Sequence, residues 1–193
     1  MNLRACLTAL ILLGITSCAP PPPATPYVEG IQPESNLGLV RVIWDRGTRP
    51  DAFCVPDIGD DIGYRLRLGL ERRGYRIIRI DVPPLDNSFA PDPVADWSPD
   101  VLFDRTHDIN RLLRVRVVEY LDASLCDTDR HGTTSTSLDI TAVAEIFSRG
   151  QSGPVWQTTQ RCSVLAGNTS DTVRLCVDEL TEGIWMRLPR AAP

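Results

Sequence analysis

The succession of strand, helix and strand between residues 37 and 80 constrains the fold of this chain more than any other stretch. Residues 37–44 form a nearly continuous apolar run, which is typical of a strand buried on both faces. Residues 57–74 carry apolar side chains at every fourth position, two arginines near the end and then a glycine, which predicts an amphipathic helix. Residues 75–80 predict a second strand. A strand, a helix and a strand in succession usually form a right-handed crossover that joins two parallel strands, so we expect these two strands to be parallel.

The remainder of the chain predicts three more strands and a last helix. Residues 111–120 alternate, with Arg114 and Arg116 on one face and apolar side chains on the other. Residues 138–147 and 155–162 predict a hairpin around a glycine-containing turn, and a final helix is expected to begin at Asn168 or Ser170. Residues 82–99 show no periodicity and predict either a surface loop over the sheet edge or a partner-binding element.

These elements together predict one α/β (α+β) domain over residues 37–189, followed by a short tail at 190–193. We expect a mixed sheet of four to five strands packed by two main helices, in the order β-α-β-(loop)-β-β-β-α.

The first 17 residues have the layout of a secretory signal peptide, with Arg4 followed by an apolar run and small residues. Residues 15–18, Ile-Thr-Ser-Cys, resemble the bacterial lipobox, and this resemblance implies cleavage before Cys18 and acylation of that cysteine by chains such as palmitate. Ala19 stands where lipoproteins retained in the inner membrane usually carry Asp, so the resemblance favours the outer membrane, facing the periplasm. The alternatives are a plain signal peptide or a membrane helix, but the apolar run is shorter than the roughly 20 residues a bilayer requires.

Residues 18–36 contain six prolines and predict an extended spacer between the lipid and the domain. At ~3.1 Å per residue, this tether would reach up to about 60 Å. A proline-recognition motif is the alternative interpretation.

The charge pattern argues against a nucleic-acid partner. The formal net charge is −5, and all 20 basic residues are arginine, with no basic run. Neither a nucleic-acid footprint nor a polybasic patch for anionic lipid is therefore expected. The sequence predicts that membrane attachment depends on the lipid at Cys18 alone.

Four cysteines remain beyond the signal peptide and the anchor, an even number that suits an oxidising compartment. Four cysteines allow three pairings. We expect Cys162 to pair with Cys176, because they lie on consecutive elements with a short loop between them, and Cys54 to pair with Cys126. A metal site is not expected, since the sequence has no Cys-x-x-Cys pair and only two histidines, at positions 107 and 131.

Candidate ligand residues follow the first predicted strand. Asp45, Arg46 and Arg49 lie at its C-terminal end, where open α/β sheets bind ligands, and they form a candidate partner or ligand loop. Solvated loop charges are the alternative interpretation.

Other chemistry-bearing residues have structural interpretations. Asp57, Asp60 and Asp61 could bind a cation, but carboxylates at a helix N-terminus are expected from the helix dipole alone. Trp44 and Trp156 are expected in the core. No serine elbow or phosphate-binding glycine loop is present, so we expect neither a cofactor nor an enzyme.

The predicted hairpin carries a family resemblance. Residues 138–142 followed by Gly153-Pro154-Val155-Trp156 are similar to a pattern found in the N-terminal domain of TolB, in the curli-secretion lipoprotein and in auxiliary lipoproteins of lipid-transport ABC systems. The resemblance implies a non-enzymatic accessory or docking module of an envelope transport or assembly complex, with other envelope proteins as partners. The alternatives are an auxiliary lipoprotein of a lipid-transport ABC system and a small periplasmic hydrolase.

Overall fold

Nine helices and strands make up the described part of the chain. A computed structural model describes residues 36–48, 58–85, 91–123, 125 and 135–188. The elements are β1 (Leu37–Leu39), β2 (Ile43–Trp44), α1 (Ile58–Arg72), β3 (Ile77–Arg79), α2 (Pro99–Phe103), β4 (Arg111–Ala123), β5 (Thr136–Ser148), β6 (Pro154–Ala166) and α3 (Thr169–Trp185). Outside the described residues lie the predictions on the signal peptide, Cys18, the proline tether, Arg49, Asp57, His131 and the pair Cys54 and Cys126.

The strands form one mixed sheet in the order β3-β1-β4-β5-β6, with β2 also paired to β4. The predicted parallel crossover is confirmed, because β1 pairs in parallel with β3 and with β4. The predicted hairpin is also confirmed, since β5 pairs antiparallel with β6 along their whole length. The fold is therefore α+β, as the sequence predicts.

The first predicted strand is interrupted in the structure, which raises the strand count to six. Leu39 pairs with Leu113 and Ile43 pairs with Arg116, so four steps along the first strand match three steps along β4. One extra residue breaks the ladder in the manner of a β-bulge. The interruption contains Arg41, whose side chain reaches the segment before α2.

Helices α1 and α3 cover one face of the sheet, here called the inner face. The buried residues of α1 step by four, as predicted: Ile58, Ile62, Leu66 and Leu70. Gly74 follows the helix with φ of 91°, a conformation that glycine adopts without the cost of a side chain. The helices approach closely at Gly69, where an added Cβ would lie 2.5 Å from the Trp185 ring.

The final helix begins at the first of its two predicted starts. The side chain of Asn168 accepts a hydrogen bond from the backbone N–H of Asp171 at 2.8 Å, which identifies Asn168 as the N-cap. A disulfide joins Cys162 on β6 to Cys176 on α3, with 5.2 Å between their Cα atoms, as the sequence analysis expected. This bond ties the sheet edge to the helical layer.

The opposite, outer face of the sheet is covered over only part of its length. Residues 91–103, here called the cover segment, place Val94, Leu102 and Phe103 in a second core with Leu112 and Phe147. The described part of the aperiodic stretch thus packs on the sheet face rather than over its edge. None of the described helices is long and apolar enough to span a membrane.

Candidate docking surface

The outer face of β4, β5 and β6 continues beyond the cover segment as an exposed surface, here called the open face. The antiparallel register sets its side chains in rows across the three strands. One row is Glu119, Thr141 and Arg161, and the next holds Leu121, Asp139 and Ser163. The open face is therefore a three-stranded surface with mostly polar side chains and isolated leucines.

Two leucine side chains on the open face are largely exposed to solvent. Leu121 is 69% exposed and Leu165 is 72% exposed. They lie on adjacent rows near the far end of the hairpin, on β4 and β6 respectively. Strand β5 lies between them, so they are two separate apolar side chains on a polar surface, each open to a partner.

The charged residues of the open face are held by hydrogen bonds across the strands. Arg161 donates through Nε to Oδ1 of Asp139 at 2.9 Å, and Thr141 donates to Oε2 of Glu119 at 2.9 Å. The hydrogen bond from Arg161 lowers the pKa of Asp139. This carboxylate therefore stays ionised across the physiological range, and the surface presents fixed charges of both signs beside the leucines.

A second group of charges links the open face to the predicted ligand loop. Arg116 lies 3.1 Å from the carboxylate of Asp45, and its Nε is 3.5 Å from Glu145. Arg114 also pairs with Glu145 at 2.9 Å, closer to the cover segment. The predicted ligand residue Asp45 is thus neutralised by an arginine of β4.

The second predicted loop residue is also paired. Arg46 contacts Asp96 of the cover segment at 2.9 Å, with both side chains exposed. The structure therefore separates Asp45 and Arg46 into two ion pairs at the border of the open face. Arg49 lies outside the described residues.

The remaining candidate residues are placed as follows. Trp44 and Trp156 are buried, which confirms them as core residues, and Trp44 packs edge-on against Tyr120 with ring centroids 5.8 Å apart. Burial and the nearby Asp122 raise the pKa of Tyr120. Asp60 and Asp61 lie in the first turn of α1. Across the described ranges, no three His, Cys, Asp or Glu side chains gather as a metal site.

Sequence reasoning missed the open face, although a signal for it exists. Polar Gln157, Thr159, Arg161 and Ser163 alternate with inward residues along β6, and Leu165 breaks this series with an apolar residue on the polar side. Alternation shows which residues share a face. It does not show which part of that face another segment covers.

Comparison with solved structures supports the fold. The chain is similar to two crystal structures of the PelC dodecamer from Paraburkholderia phytofirmans, one of them of a variant, with TM-scores of 0.52 and 0.50 and identities of 11% and 12%. Each match covers 84% of this chain and 93% or 92% of the PelC chain. Lipoprotein GNA1162 from Neisseria meningitidis is also similar, with a TM-score of 0.49, 12% identity, and coverage of 78% of this chain and 97% of that chain.

No protein-family model matches the sequence, and no curated protein matches it. Identities this low establish a shared fold alone. This chain thus shares its α+β fold with PelC, and its role has to be argued from its own residues.

Proposed function

We propose that this chain is a periplasmic lipoprotein, anchored in the outer membrane through Cys18, that acts without catalysis as a docking module of an envelope transport or assembly complex. The open face is the observation that carries the proposal. It is wide and exposed, and it combines two leucines with a border of ion pairs. The lipobox-like residues 15–18 supply the location.

The chemistry of the open face suits protein recognition. Full burial of a leucine side chain contributes roughly 1.5–3 kcal/mol, so Leu121 and Leu165 are suitable anchors for a partner. The surrounding charges, such as Arg161 and Glu119, would lie at the rim, where they select a partner more than they add affinity. A complementary surface would carry apolar side chains facing the leucines and charges of opposite sign around them.

The size of the open face indicates how the partner must bind. A length of eight residues on each of three neighbouring strands corresponds to a projected area on the order of 400 Å². A standard interface buries about 800 Å² on each side, so the open face alone would support weak or transient docking. Strand β6 adjoins it and pairs only with β5 among the described strands, so the backbone groups of its outer edge offer further contact.

The similarity to PelC adds support of a coarser kind. PelC crystallised as a dodecamer, so this fold can serve in a protein assembly. We propose an assembly role for this chain on that ground and on the open face. The identity of the partner is left to the experiment.

Site-specific photo-crosslinking in intact bacteria tests the proposal. A photoreactive residue at Thr159, on the open face, should crosslink to an envelope protein, whereas one at Glu179, on the exposed side of α3, should not. Crosslinks at both positions to the same set of proteins, or at neither, would contradict docking on the open face. Transport ATPase or permease subunits among the products would favour an auxiliary role in a lipid-transport ABC system.

Fractionation tests the anchor separately. After high-salt washing, the Cys18→Ser variant should leave the membrane fraction while keeping the folded domain, because acyl-chain burial would be lost. A variant that stays in the membrane after high-salt washing would show that another element anchors the chain.

A further inference from the structure

The end of the domain where the chain enters β1 gathers arginines from four separate segments. Asn36 donates to the carbonyl of Asp108 at 2.9 Å, and the N–H of Leu37 donates to the carbonyl of Arg76 at 2.9 Å. The N–H of Arg149 donates to the carbonyl of Asn110 at 3.0 Å. These contacts bring the end of α1, the loop before β4 and the β5–β6 turn to one end of the sheet.

The end of α3 completes this group. Arg73 donates to the carbonyl of Leu188 and lies over the Trp185 ring, 5.7 Å from its centroid. Segments 71–76, 104–111, 148–154 and 185–188 together carry seven arginines against three carboxylates, an excess of four positive charges. We call this surface the basic end. The sequence shows no basic run because the fold alone brings these residues together.

Five arginines of the basic end are exposed and make no ion pair with the described part of the chain: Arg72, Arg76, Arg105, Arg149 and Arg187. Arg149 donates to the carbonyls of Phe103 and Thr106, and Arg187 donates to the hydroxyl of Thr158. Carbonyls and hydroxyls orient a guanidinium without neutralising its charge. The positive charge is therefore still available to an anionic partner.

Helix stabilisation explains only part of this arrangement. Arg72 and Arg187 lie at the C-terminal ends of α1 and α3, where cations are favoured by the helix dipole. Arg76 lies four residues beyond the end of α1, and Arg105 and Arg149 follow no long helix, so the helix dipole, which acts within the last turn, does not account for these three. Arg105 and Arg149 also lie over the rings of Trp97 and Phe103, contacts that orient the guanidinium groups and leave their charge unneutralised.

The opposite end of the domain is acidic. Asp60 and Asp61 begin α1, and Glu119 and Asp122 lie toward the other end of the sheet, where Asp45 is paired with Arg116. Strand β5, with 13 residues, is about 40 Å long, and charges are screened beyond about 8 Å at physiological ionic strength. The acidic end therefore does not cancel the field at the basic end, despite the net charge of −5.

We infer that the basic end faces the membrane and binds the phosphate headgroups of anionic phospholipids. The inference rests on the proposed function, because Cys18 would lie in that membrane, only 18 residues before Asn36. The described chain begins with Asn36 at the basic end, so the predicted tether joins the domain at this surface. Met186, 54% exposed beside Arg187, adds an apolar side chain suited to the interface.

Vesicle binding tests the inference without the lipid anchor. The chain from residue 18 onward, with Cys18→Ser, retains every residue that the structure describes. It should sediment with vesicles of phosphatidylglycerol and phosphatidylcholine mixed in equal amounts, and not with phosphatidylcholine alone. Added salt should weaken binding, because the attraction is electrostatic.

Paired variants locate the binding surface. Arg72→Gln with Arg76→Gln should weaken binding by about thirtyfold, since each basic residue near an anionic surface contributes about 1 kcal/mol. The control, Arg46→Gln with Arg174→Gln, removes the same charge from exposed ion pairs at the acidic end and should bind as the parent chain does. Circular dichroism should show that both variants are folded.

Several outcomes would overturn the inference. They are equal binding to neutral vesicles, an equal loss in the control, and no binding at low salt. Salt-sensitive self-association in sedimentation velocity, abolished by Arg72→Gln with Arg76→Gln, would instead assign the basic end to the acidic end of a second copy. None of these results affects the fractionation of Cys18→Ser or the crosslinks at Thr159, so the two proposals fail separately.

Discussion

The two halves of the outer sheet face carry the same kind of ion pair in opposite environments. In the covered half, Arg41 donates two hydrogen bonds of 2.7 Å to the carboxylate of Asp92, whose side chain is fully buried. On the open face, Arg161 forms an ion pair with Asp139, and the arginine side chain is 64% exposed. The buried pair holds the cover segment in place, whereas the exposed pair adds little to folding because water screens it. Residues on the open face can therefore serve a partner at little expense to the fold.

The largest expected effect is loss of the buried carboxylate. Asp92 accepts hydrogen bonds from Arg41 and from the N–H groups of Trp44 and Val94, at 3.1 and 2.9 Å for the last two. Asp92→Ala leaves these donors without an acceptor and should reduce the free energy of unfolding by about 3–5 kcal/mol, measured by urea denaturation. Asp96→Ala is the matched control, because Asp96 is exposed. Equal stabilities of the two variants would remove the contrast between the covered and open halves.

Loss of the disulfide should come next in size. Replacing both Cys162 and Cys176 by Ala opens a link across 14 residues, and a loop of this length is worth about 3 kcal/mol of stability. Urea denaturation of the double variant, with and without reductant, measures this. Reduction should lower the stability of the parent chain more than that of the double variant, which retains only the expected pair Cys54 and Cys126. A parent chain indifferent to reductant would show that the bond does not stabilise the domain.

Acid should weaken the covered half by protonating Asp92. Burial opposes ionisation of Asp92, but the hydrogen bonds from Arg41 and the backbone outweigh it and lower the pKa of Asp92. A lowered pKa in the folded state contributes stability above the unfolded pKa of about 3.9, and that stability is lost as pH falls through the folded value. Stability should thus decline below about pH 4. Asp92→Asn should flatten this decline, and an unchanged slope would assign the acid sensitivity elsewhere.

The smallest effect on stability is expected on the open face. Leu121→Ser with Leu165→Ser should leave the urea midpoint nearly unchanged, because both side chains are exposed in the isolated chain. The same variant should lose the crosslinks formed at Thr159. A large loss of stability would show that these leucines belong to the core, and retained crosslinks would show that they do not anchor the partner.

Local pattern was sufficient for most of the elements, since it depends on neighbours within a few residues. The fourfold stepping in α1, the cap at Asn168 and the alternation through Arg114 and Arg116 all predicted what the structure contains. The pair Arg41 and Asp92 could not be predicted, because its members lie 51 positions apart and Asp92 falls in the aperiodic stretch.

The surfaces proposed for function were the least predictable part. The open face depends on where the cover segment stops, and the basic end depends on four segments that meet only after folding. Asp45 was correctly placed after the first strand, yet its neutralisation by Arg116 required knowledge of strand pairing. Composition and periodicity report on single elements, whereas these sites arise between elements.

The disulfide between β6 and α3 has a mechanical consequence. Strand β6 is held at the sheet edge by its hydrogen bonds to β5, and these bonds would break one after another if the end of the strand were pulled. Cys162 lies inside that strand, so peeling that starts at Ala166 would stop at a covalent crosslink after four residues. A partner that pulls on β6 would thus transmit its force to α3 and the helical layer. In an oxidising compartment the sheet edge would therefore resist a pulling force, and reduction of the disulfide would let β6 separate from β5 more easily.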